Sequence, residues 1–413
     1  MSKSFLKDIV LNNLSQGLQF GSRWIFNLAL IALLDIESYA LFSFIYSLSN
    51  ILLSVLPFGS STYLIANGKA DKLGTKELIH SIVITTAIMF LLLISYFVLT
   101  PFFNVLNGWD YAIYGIILSY FLSLNLLSFS YFKGLGQFTQ ELKAYSIFAA
   151  GILMFTGYFY FMSKDLADIR IIFLVLIGLN ATIIAYTYLF SELRERMSIS
   201  IELRQISIKQ ILHGLNKRKY FGFQDIVTAI YTQAGLLILF YIIDEKTYGY
   251  YRALFVIVAP LFMITVAISQ VILNRLANSN KANILNLFRN IQRYTILLGI
   301  AICIMLLLMK RVVLSFINLD ITYVSNLSFI IIVAITLMRF IFSNYEMLLV
   351  VYDMQKQRFV IMAIAAFIGI SAIFVLLPRF GLVGAVTTNA ISYFIVLLGL
   401  VMISEQKIRS LKK

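Results

Sequence analysis

Long apolar stretches recur along this 413-residue chain, separated by short polar loops. A helix needs about 20 residues to cross the hydrocarbon core of a bilayer, and twelve stretches reach that length. Only 13% of the residues are charged, against about 25% in soluble domains. The sequence therefore predicts an all-α integral membrane protein. We expect its twelve spans at approximately 10–34, 39–65, 78–100, 111–132, 142–162, 170–190, 219–243, 248–274, 291–309, 324–351, 359–377 and 382–403.

The Lys and Arg residues are divided unevenly between the two sets of alternate loops. Of the 33, 24 fall in the set that includes both termini, 6 fall in the opposite set and 3 lie inside spans. Because Lys and Arg are retained on the cytoplasmic side of a membrane, we expect both termini in the cytoplasm. The net charge of +14 then reflects topology and contact with anionic membrane lipids, and not nucleic-acid binding.

The longest polar interval, Ser191–Lys219, divides the spans into two groups of six. We expect an N-terminal six-helix bundle over 1–190, a basic cytoplasmic linker over 191–218 and a C-terminal six-helix bundle with a cytoplasmic tail over 219–413. A weak repeat supports the division, since GLGQFTQELKAYSIFAAGI from Gly134 resembles MQKQRFVIMAIAAFIGI from Met354. Two six-helix bundles around a central cavity are a transporter architecture.

Polar residues at helical spacing mark span faces that turn away from lipid. The first span carries such a stripe at spacings of 4, 3, 4 and 4, and a second stripe of small polar residues follows the next span. The stripes indicate either a lined cavity or helix–helix packing through small polar side chains, and the amides of the first span favour a cavity. The two sets are Asn12, Gln16, Gln19, Arg23 and Asn27, and Ser43, Ser47, Asn50, Ser54, Pro57 and Ser61.

Three arginines, Arg23, Arg252 and Arg339, lie inside predicted spans. Each costs about 2.5–3.5 kcal/mol near a helix centre on insertion scales, so each needs a partner or a water-filled cavity. Arg252 is close enough to a boundary to extend its head group into the interface, and helix carbonyls or carboxylates are alternative partners for all three. Because a guanidinium donates two hydrogen bonds at once to a phosphate, the alternative we favour is a positively charged cavity for a phosphorylated ligand.

Few other residues suggest chemistry. Asp225 and Glu346 are the carboxylates inside the predicted spans, which makes them candidates for coupling to a proton or sodium ion. His80 and His213 have no companion ligands, and Cys303 is the single cysteine. We therefore expect no metal site, no internal disulfide, no cofactor and no enzymatic activity.

Two short motifs and the topology resemble a known family. KGLGQF at Lys133–Phe138, LPRFGLVGAV at Leu377–Val386 and the two six-span halves around a basic linker are similar to the Wzx-type O-antigen flippases of the multidrug/oligosaccharidyl-lipid/polysaccharide exporter (MOP) superfamily. The resemblance implies a MATE-like fold and transport of an undecaprenyl-pyrophosphate-linked oligosaccharide to the outer leaflet of the bacterial inner membrane. It also implies cavity arginines on the first and eighth spans, where Arg23 and Arg252 occur, and a polysaccharide polymerase as a possible partner.

Two other functions are compatible with many spans. A cation-coupled multidrug exporter of the same superfamily carries an acidic residue in the first span, whereas here Asp35 lies only at the outer end. A membrane polysaccharide polymerase or ligase is expected to have a large outer loop, and the predicted outer loops are short. We therefore expect a flippase that binds its substrate through residues of several spans. The candidates are Arg23, Arg252, Arg339, Asn12, Gln16, Gln19, Asn27 and Asn50.

Overall fold

The computed structural model describes most of the chain. The described residues are 3–67, 73–103, 108–135, 137–162, 168–190, 208–229, 235–277, 281–316, 319, 323–352 and 354–412. Their regular structure is helical throughout, and no strand occurs among them. A short 3₁₀ turn over Trp109–Tyr111 precedes α5. The helices are α1 Lys3–Leu33, α2 Ile36–Val55, α3 Ser60–Asn67, α4 Leu73–Phe103, α5 Ala112–Gly134, α6 Phe138–Met162, α7 Ile169–Phe190, α8 Ile208–Ala229, α9 Gly235–Ile242, α10 Glu245–Ala277, α11 Lys281–Leu308, α12 Lys310–Phe316, α13 Asn326–Val351 and α14 Gln355–Lys412.

Within the described ranges, nine helical segments are long and apolar enough to cross a membrane, the last being the 54-residue stretch Lys356–Arg409. Apolar side chains that are exposed along these segments include Phe90, Phe161 and Phe367. Lipid accommodates such side chains, whereas the backbone polar groups must be satisfied within the helices. The protein is a multi-pass α-helical membrane protein, as the composition predicts.

α14 is a helical hairpin that reverses direction at Gly381. The backbone there has φ 52° and ψ −127°, a conformation that glycine adopts far more readily than other residues. A Cβ at Gly384 would lie 2.3 Å from the Leu376 carbonyl oxygen, and Ser392 donates a hydrogen bond to the Ala365 carbonyl over 3.2 Å. These cross-contacts show two antiparallel arms, which cover the stretches 359–377 and 382–403 that the sequence predicts as separate spans.

The stretch 39–65, which the sequence predicts as one span, is broken into α2 and α3. The break falls at Pro57, where proline cannot donate a helical hydrogen bond, and Phe58 and Gly59 follow with φ angles of 41° and 71°. Thr85 of α4 donates a hydrogen bond to the Leu56 carbonyl over 3.3 Å. The carbonyl that the break exposes is therefore satisfied by a neighbouring helix.

The chain divides into two compact units. The first contains Met1–Leu34 and Leu41–Leu237, and the second contains Asp35–Ala40 and Ile238–Lys413. In the first unit α1 packs along α6, α5 packs against α3, α4 and α7, and α8 contacts α3 and α4. In the second unit α13 packs against α10, α11 and α14. Residues 191–207 of the predicted linker lie outside the described part of the chain, and α8 begins within the remainder.

Candidate functional site

The polar stripe of α1 faces α6, and the two helices run in the same direction. Ser15 is hydrogen-bonded to the carboxyl group of Glu141, and Gln19 is hydrogen-bonded to Tyr145. One turn further along, the Arg23 guanidinium lies over the Phe148 ring, 5.5 Å from its centroid. These contacts advance together along both helices, about one turn at a time, and they form a seam between α1 and α6 inside the first unit.

Arg23 borders a small cavity within the first unit. The Asn27 amide donates to the Arg23 carbonyl over 2.8 Å, which fixes one side of the opening. The cavity has a volume of about 10 Å³, room for about one water molecule. A sugar therefore does not fit there in this conformation. The cavity is lined by Arg23, Phe26, Asn27, Tyr46, Leu118, Leu122, Phe148, Leu176 and Asn180.

In the second unit, one face of the α14 hairpin contacts Tyr251, the residue before Arg252, and the Phe342 ring beside Arg339. Asn389 and Tyr393 are one turn apart and share a face. Asn389 is hydrogen-bonded to the hydroxyl of Tyr251, and Arg252 interacts electrostatically with the same hydroxyl. The Nε atom of Arg252 is buried and has no hydrogen-bond partner among the described residues. A buried donor without a partner costs about 1–3 kcal/mol, and the Nε atoms of Arg218 and Arg358 are in the same situation among the described residues.

Arg339 lies on the other side of the same face. Its guanidinium is 5.1 Å from the centroid of the Phe342 ring. Tyr393 packs against that ring at 5.8 Å and against Phe262 at 6.1 Å, and it interacts electrostatically with both Arg339 and Glu346. Arg339, Phe342 and Tyr393 thus form one patch of α13 and α14, and Tyr251, the residue before Arg252, interacts electrostatically with Tyr393.

The buried carboxylates of these helices already have basic partners. Glu141 is bound to Lys133 at 2.9 Å, Glu346 to Arg358, and Glu77 to Arg218. Among the described residues, no carboxylate lies within ion-pair distance of Arg23, Arg252 or Arg339. The positive charge of the three span arginines is therefore not cancelled by a described ion pair.

The structure places the predicted site residues in several environments. Gln19 and Arg23 lie on the seam, and Asn27 lines the small cavity beside Arg23. Arg339 lies in the patch of the second unit, and Arg252 interacts with its neighbour Tyr251. Asn50 and Asp225 are partly buried on α2 and α8, and neither is described with a hydrogen bond to the seam. The side chains of Asn12 and Gln16 lie outside what the structure describes. Within the described residues, no group of three His, Cys, Asp or Glu side chains is arranged to hold a metal ion.

Sequence reasoning missed Glu141 and Tyr145. It started the fifth span at residue 142, whereas α6 begins at Phe138 and buries Glu141 to 3% exposure. The signal that was available is the spacing of Glu141, Tyr145 and Phe148, which places all three on one helix face. Glu346 and Asp225 are therefore not the only carboxylates at span positions.

The fold is shared with solved structures of membrane transporters. No protein-family model and no curated protein matches the sequence. Among solved structures, the lipid II flippase MurJ in an inward closed conformation is similar, with a TM-score of 0.73 and 15% sequence identity. The alignment covers 95% of this chain and 87% of the MurJ chain. An inward-facing multidrug resistance MATE family transporter matches with a TM-score of 0.69 at 14% identity, over 98% and 95% of the two chains.

A third similar structure is a MOP superfamily transporter from Pyrococcus furiosus, with a TM-score of 0.64 at 13% identity over 100% of this chain and 96% of that one. That transporter is described as having a binding pocket of reverse polarity. At such identities the similarity concerns the fold. The chain therefore has the fold of MOP superfamily transporters, which is the superfamily that the sequence motifs resemble.

Proposed function

We propose that this protein is a flippase that moves an undecaprenyl-pyrophosphate-linked oligosaccharide, such as an O-antigen repeat unit, from the cytoplasmic to the outer leaflet of the bacterial inner membrane. The observation that carries the proposal is the set of three span arginines, none of which is paired with a described carboxylate. A charge that costs a few kcal/mol to insert and has no carboxylate partner among the described residues is best explained by an anionic ligand.

In this proposal, the arginines of each unit bind the pyrophosphate. A planar guanidinium donates two parallel hydrogen bonds to phosphate oxygens, and aromatic contacts hold Arg23 over Phe148 and Arg339 over Phe342. The amides of the α1 stripe and Asn50 bind sugar hydroxyls, while the lipid tail remains in the bilayer. The proposal includes a topology of twelve spans in two six-helix bundles, with both termini in the cytoplasm. It also includes transport by alternating access and a polysaccharide polymerase that receives the product.

Coupling to a proton or sodium ion is part of the proposal for Asp225 and Glu346. Glu346 interacts with Tyr393 in the Arg339 patch, which links a carboxylate to an anion-binding arginine. Transport by Asp225→Asn and Glu346→Gln is compared with wild type under imposed proton and sodium gradients. Loss of gradient dependence in either variant supports its role, and unchanged dependence in both excludes the two residues from coupling.

The decisive experiment measures flipping in a strain that lacks the gene. We expect lipid-linked oligosaccharide to accumulate on the inner leaflet and wild type to relieve the accumulation. Arg23→Glu should fail to do so while inserting normally, because reversed charge repels pyrophosphate. Arg170→Glu is the matched control, since Arg170 also contacts an aromatic ring, that of Tyr111 at 5.5 Å, but lies at the first turn of α7, away from the seam. Normal flipping by Arg23→Glu contradicts the proposed role of Arg23.

A second candidate function is cation-coupled export of drugs, which the similarity to MATE transporter structures favours. Uncancelled arginines disfavour cationic drugs, because the interior of each unit then repels them. The same deletion strain separates the two functions. Drug sensitivity without accumulated lipid-linked oligosaccharide supports drug export, and accumulation without drug sensitivity supports the flippase.

A further inference from the structure

Both units contain the same constellation of four side chains. In the first unit, Tyr145 interacts electrostatically with Arg23 and with Glu141, and Glu141 is bound to Lys133. In the second unit, a tyrosine also interacts with a span arginine and a glutamate, and the glutamate is again bound to a basic residue. The corresponding residues are Tyr393, Arg339, Glu346 and Arg358.

The ion pair at the end of each constellation joins consecutive helices, with opposite polarity in the two units. In the first unit the cation, Lys133, ends α5 and the carboxylate, Glu141, lies in the first turn of α6. In the second unit the carboxylate, Glu346, lies near the end of α13 and the cation, Arg358, lies in the first turn of α14. The two junctions coincide with the weak repeat in the sequence.

We propose that Glu141 is a proton-binding site that sets the affinity of Arg23 for a phosphate-bearing anion, with Tyr145 as the positioning residue between them. This inference rests on the proposed function, because it takes the ligand of Arg23 to be an anion. It adds a carboxylate to the candidates for ion coupling and specifies the event that the proton controls.

The charge of Glu141 depends on two opposing features of its surroundings, burial and the neighbouring Lys133. The Glu141 side chain is 4% exposed and that of Lys133 is 22% exposed, so the ammonium is the more accessible end of the ion pair. Desolvation disfavours a charged carboxylate, and the ammonium favours it. Among the described residues, the charged or titratable groups that act on this site are Lys133 from α5, Arg23 from α1 and Tyr145 from α6, and the Ser15 hydroxyl from α1 completes the contacts.

The direction in which protonation of Glu141 changes the affinity of Arg23 for an anion follows from charge alone. When a carboxylate oxygen of Glu141 takes a proton from water, the seam becomes more positive by one unit charge, and anion binding at Arg23 is favoured. Glu141 is seven residues from Phe148, about 10 Å along the helix. One unit charge at that distance and an effective dielectric constant of about 20 changes affinity by roughly tenfold. Anion and proton therefore bind together, and loss of the proton releases the anion.

Tyr145 is suited to transmit this change. Its ring is buried, with 8% exposure, and packs against Phe129 at 5.1 Å, and its hydroxyl interacts electrostatically with both Glu141 and Arg23. The hydrogen bond with Gln19 ties the same hydroxyl to the α1 stripe. Tyr145→Phe removes the hydroxyl and keeps the ring contacts, so it tests the connection without opening the core.

The experiment measures binding of farnesyl pyrophosphate to the purified full-length protein in nanodiscs, by calorimetry between pH 5 and 8. Repeating each titration in buffers of different ionisation enthalpy gives the number of protons taken up. We expect wild type to bind about tenfold more tightly at the low end of the range and to take up protons on binding. The terminal phosphate of the ligand titrates at about pH 6, so Glu141→Gln should keep only the pH dependence and proton exchange of the ligand itself. The difference between wild type and Glu141→Gln reports the proton on Glu141, and it should be smaller in a Tyr145→Phe background.

The controls separate failure of this inference from failure of the proposed function. Asp110→Asn alters an exposed carboxylate of the first unit that precedes α5, at the end of that helix opposite Lys133, and it should keep the pH dependence of wild type. If binding requires Arg23 and Glu141→Gln keeps the pH dependence of wild type, the role of Glu141 is overturned and the anion site at Arg23 is retained. Binding that is absent, or unaffected by Arg23→Gln, overturns the anion site and the proton site together. Monodisperse gel filtration confirms that each variant is folded.

Discussion

Arg218 and Glu77 form an ion pair in the interior of the first unit. The Arg218 side chain is 0% exposed, and its Nη1 atom donates hydrogen bonds of 2.8 Å to the hydroxyls of Ser60 and Ser81. Its guanidinium also lies 4.9 Å from the centroid of the Tyr63 ring. The arginine thereby fastens α8 to α3 and α4.

Removing the partner of this arginine should destabilise the first unit strongly. Glu77→Ala leaves a buried guanidinium without its counter-charge, and loss of one partner of a buried ion pair costs about 3–5 kcal/mol. We expect a lower unfolding temperature in detergent and a loss of that order in the free energy of unfolding. The exposed Glu37→Ala is the control and should lose less than about 1 kcal/mol. Equal losses for the two variants would show that the ion pair contributes nothing specific.

Arg218 also shows which structural features the sequence predicts and which it leaves open. Its position at the end of a basic interval made it one of the cations that indicate topology, and the sequence contains no sign that it is buried. Hydropathy predicts where spans occur because a helix that crosses a bilayer needs about 20 consecutive, mainly apolar residues. The partner of a single charge depends on how separate helices pack, and Glu77 and Ser60 are more than 130 residues away in the chain.

The candidate site was predictable to a similar extent. Helical spacing placed Gln19, Arg23 and Asn27 on one face, and in the structure Gln19 and Arg23 both contact α6. Arg23 also lines a cavity with residues of α2, α5 and α7. The spacing did not reveal that Glu141 lies opposite Ser15, because a span boundary set by hydropathy ends at the first charged residue. Nor did it reveal Pro57 as a complete break, since proline also occurs in continuous kinked spans.

The reversal of chain direction in α14 requires glycine at position 381. At Gly381, φ is 52° and ψ is −127°, a conformation that costs other residues about 1–3 kcal/mol. We expect Gly381→Ala to lower the free energy of unfolding by that amount. Gly178→Ala is the matched control, because Gly178 lies within α7 and a Cβ added there would meet no neighbouring atom within 4 Å, and alanine is the better helix former by about 1 kcal/mol. Unfolding in detergent should therefore show opposite signs, and equal effects would contradict the need for glycine at the reversal.

Asp35 makes a prediction about pH. It precedes α2 and accepts hydrogen bonds from the backbone N–H of Ser38 at 2.7 Å and from the Ser38 hydroxyl at 2.8 Å. Partial burial raises the pKa of Asp35, but the hydrogen bonds outweigh it and leave the pKa below its ordinary value. A lowered pKa in the folded state stabilises the protein above the ordinary pKa of about 3.9. This contribution is lost as the pH falls through the lowered value.

We therefore expect Asp35→Ala to reduce the free energy of unfolding by about 0.5–2 kcal/mol at pH 7, the usual effect of removing an N-terminal helix cap. The difference from wild type should shrink as the pH falls below the ordinary pKa of about 3.9. Asp35→Asn keeps an oxygen for the Ser38 N–H and does not titrate, so its difference from Asp35→Ala should be independent of pH. Unfolding temperatures between pH 3 and 7 test both expectations, and a constant difference between wild type and Asp35→Ala would contradict the role of the carboxylate.

The opposite polarity of the two junction ion pairs predicts that the first can be reversed. Lys133→Glu places two carboxylates together, Glu141→Lys places two ammonium groups together, and the double variant restores a pair with the polarity of Glu346 and Arg358. The Ser15 hydroxyl can serve either charge, since it is both donor and acceptor. We expect each single variant to be destabilised and the double variant to recover a coupling energy of about 1.5–3 kcal/mol, typical of hydrogen bonds to charged groups.

A double-mutant cycle of unfolding free energies in detergent measures this coupling, because additive effects indicate independent sites. Lys133→Gln and Glu141→Gln provide a neutral cycle as the control, in which the amide groups can still share a hydrogen bond without any charge attraction. Its coupling should therefore be smaller than that of the reversed pair. If the effects of Lys133→Glu and Glu141→Lys are simply additive, the ion pair does not stabilise the α5–α6 junction. The two junctions would then correspond in position but not in their contribution to stability.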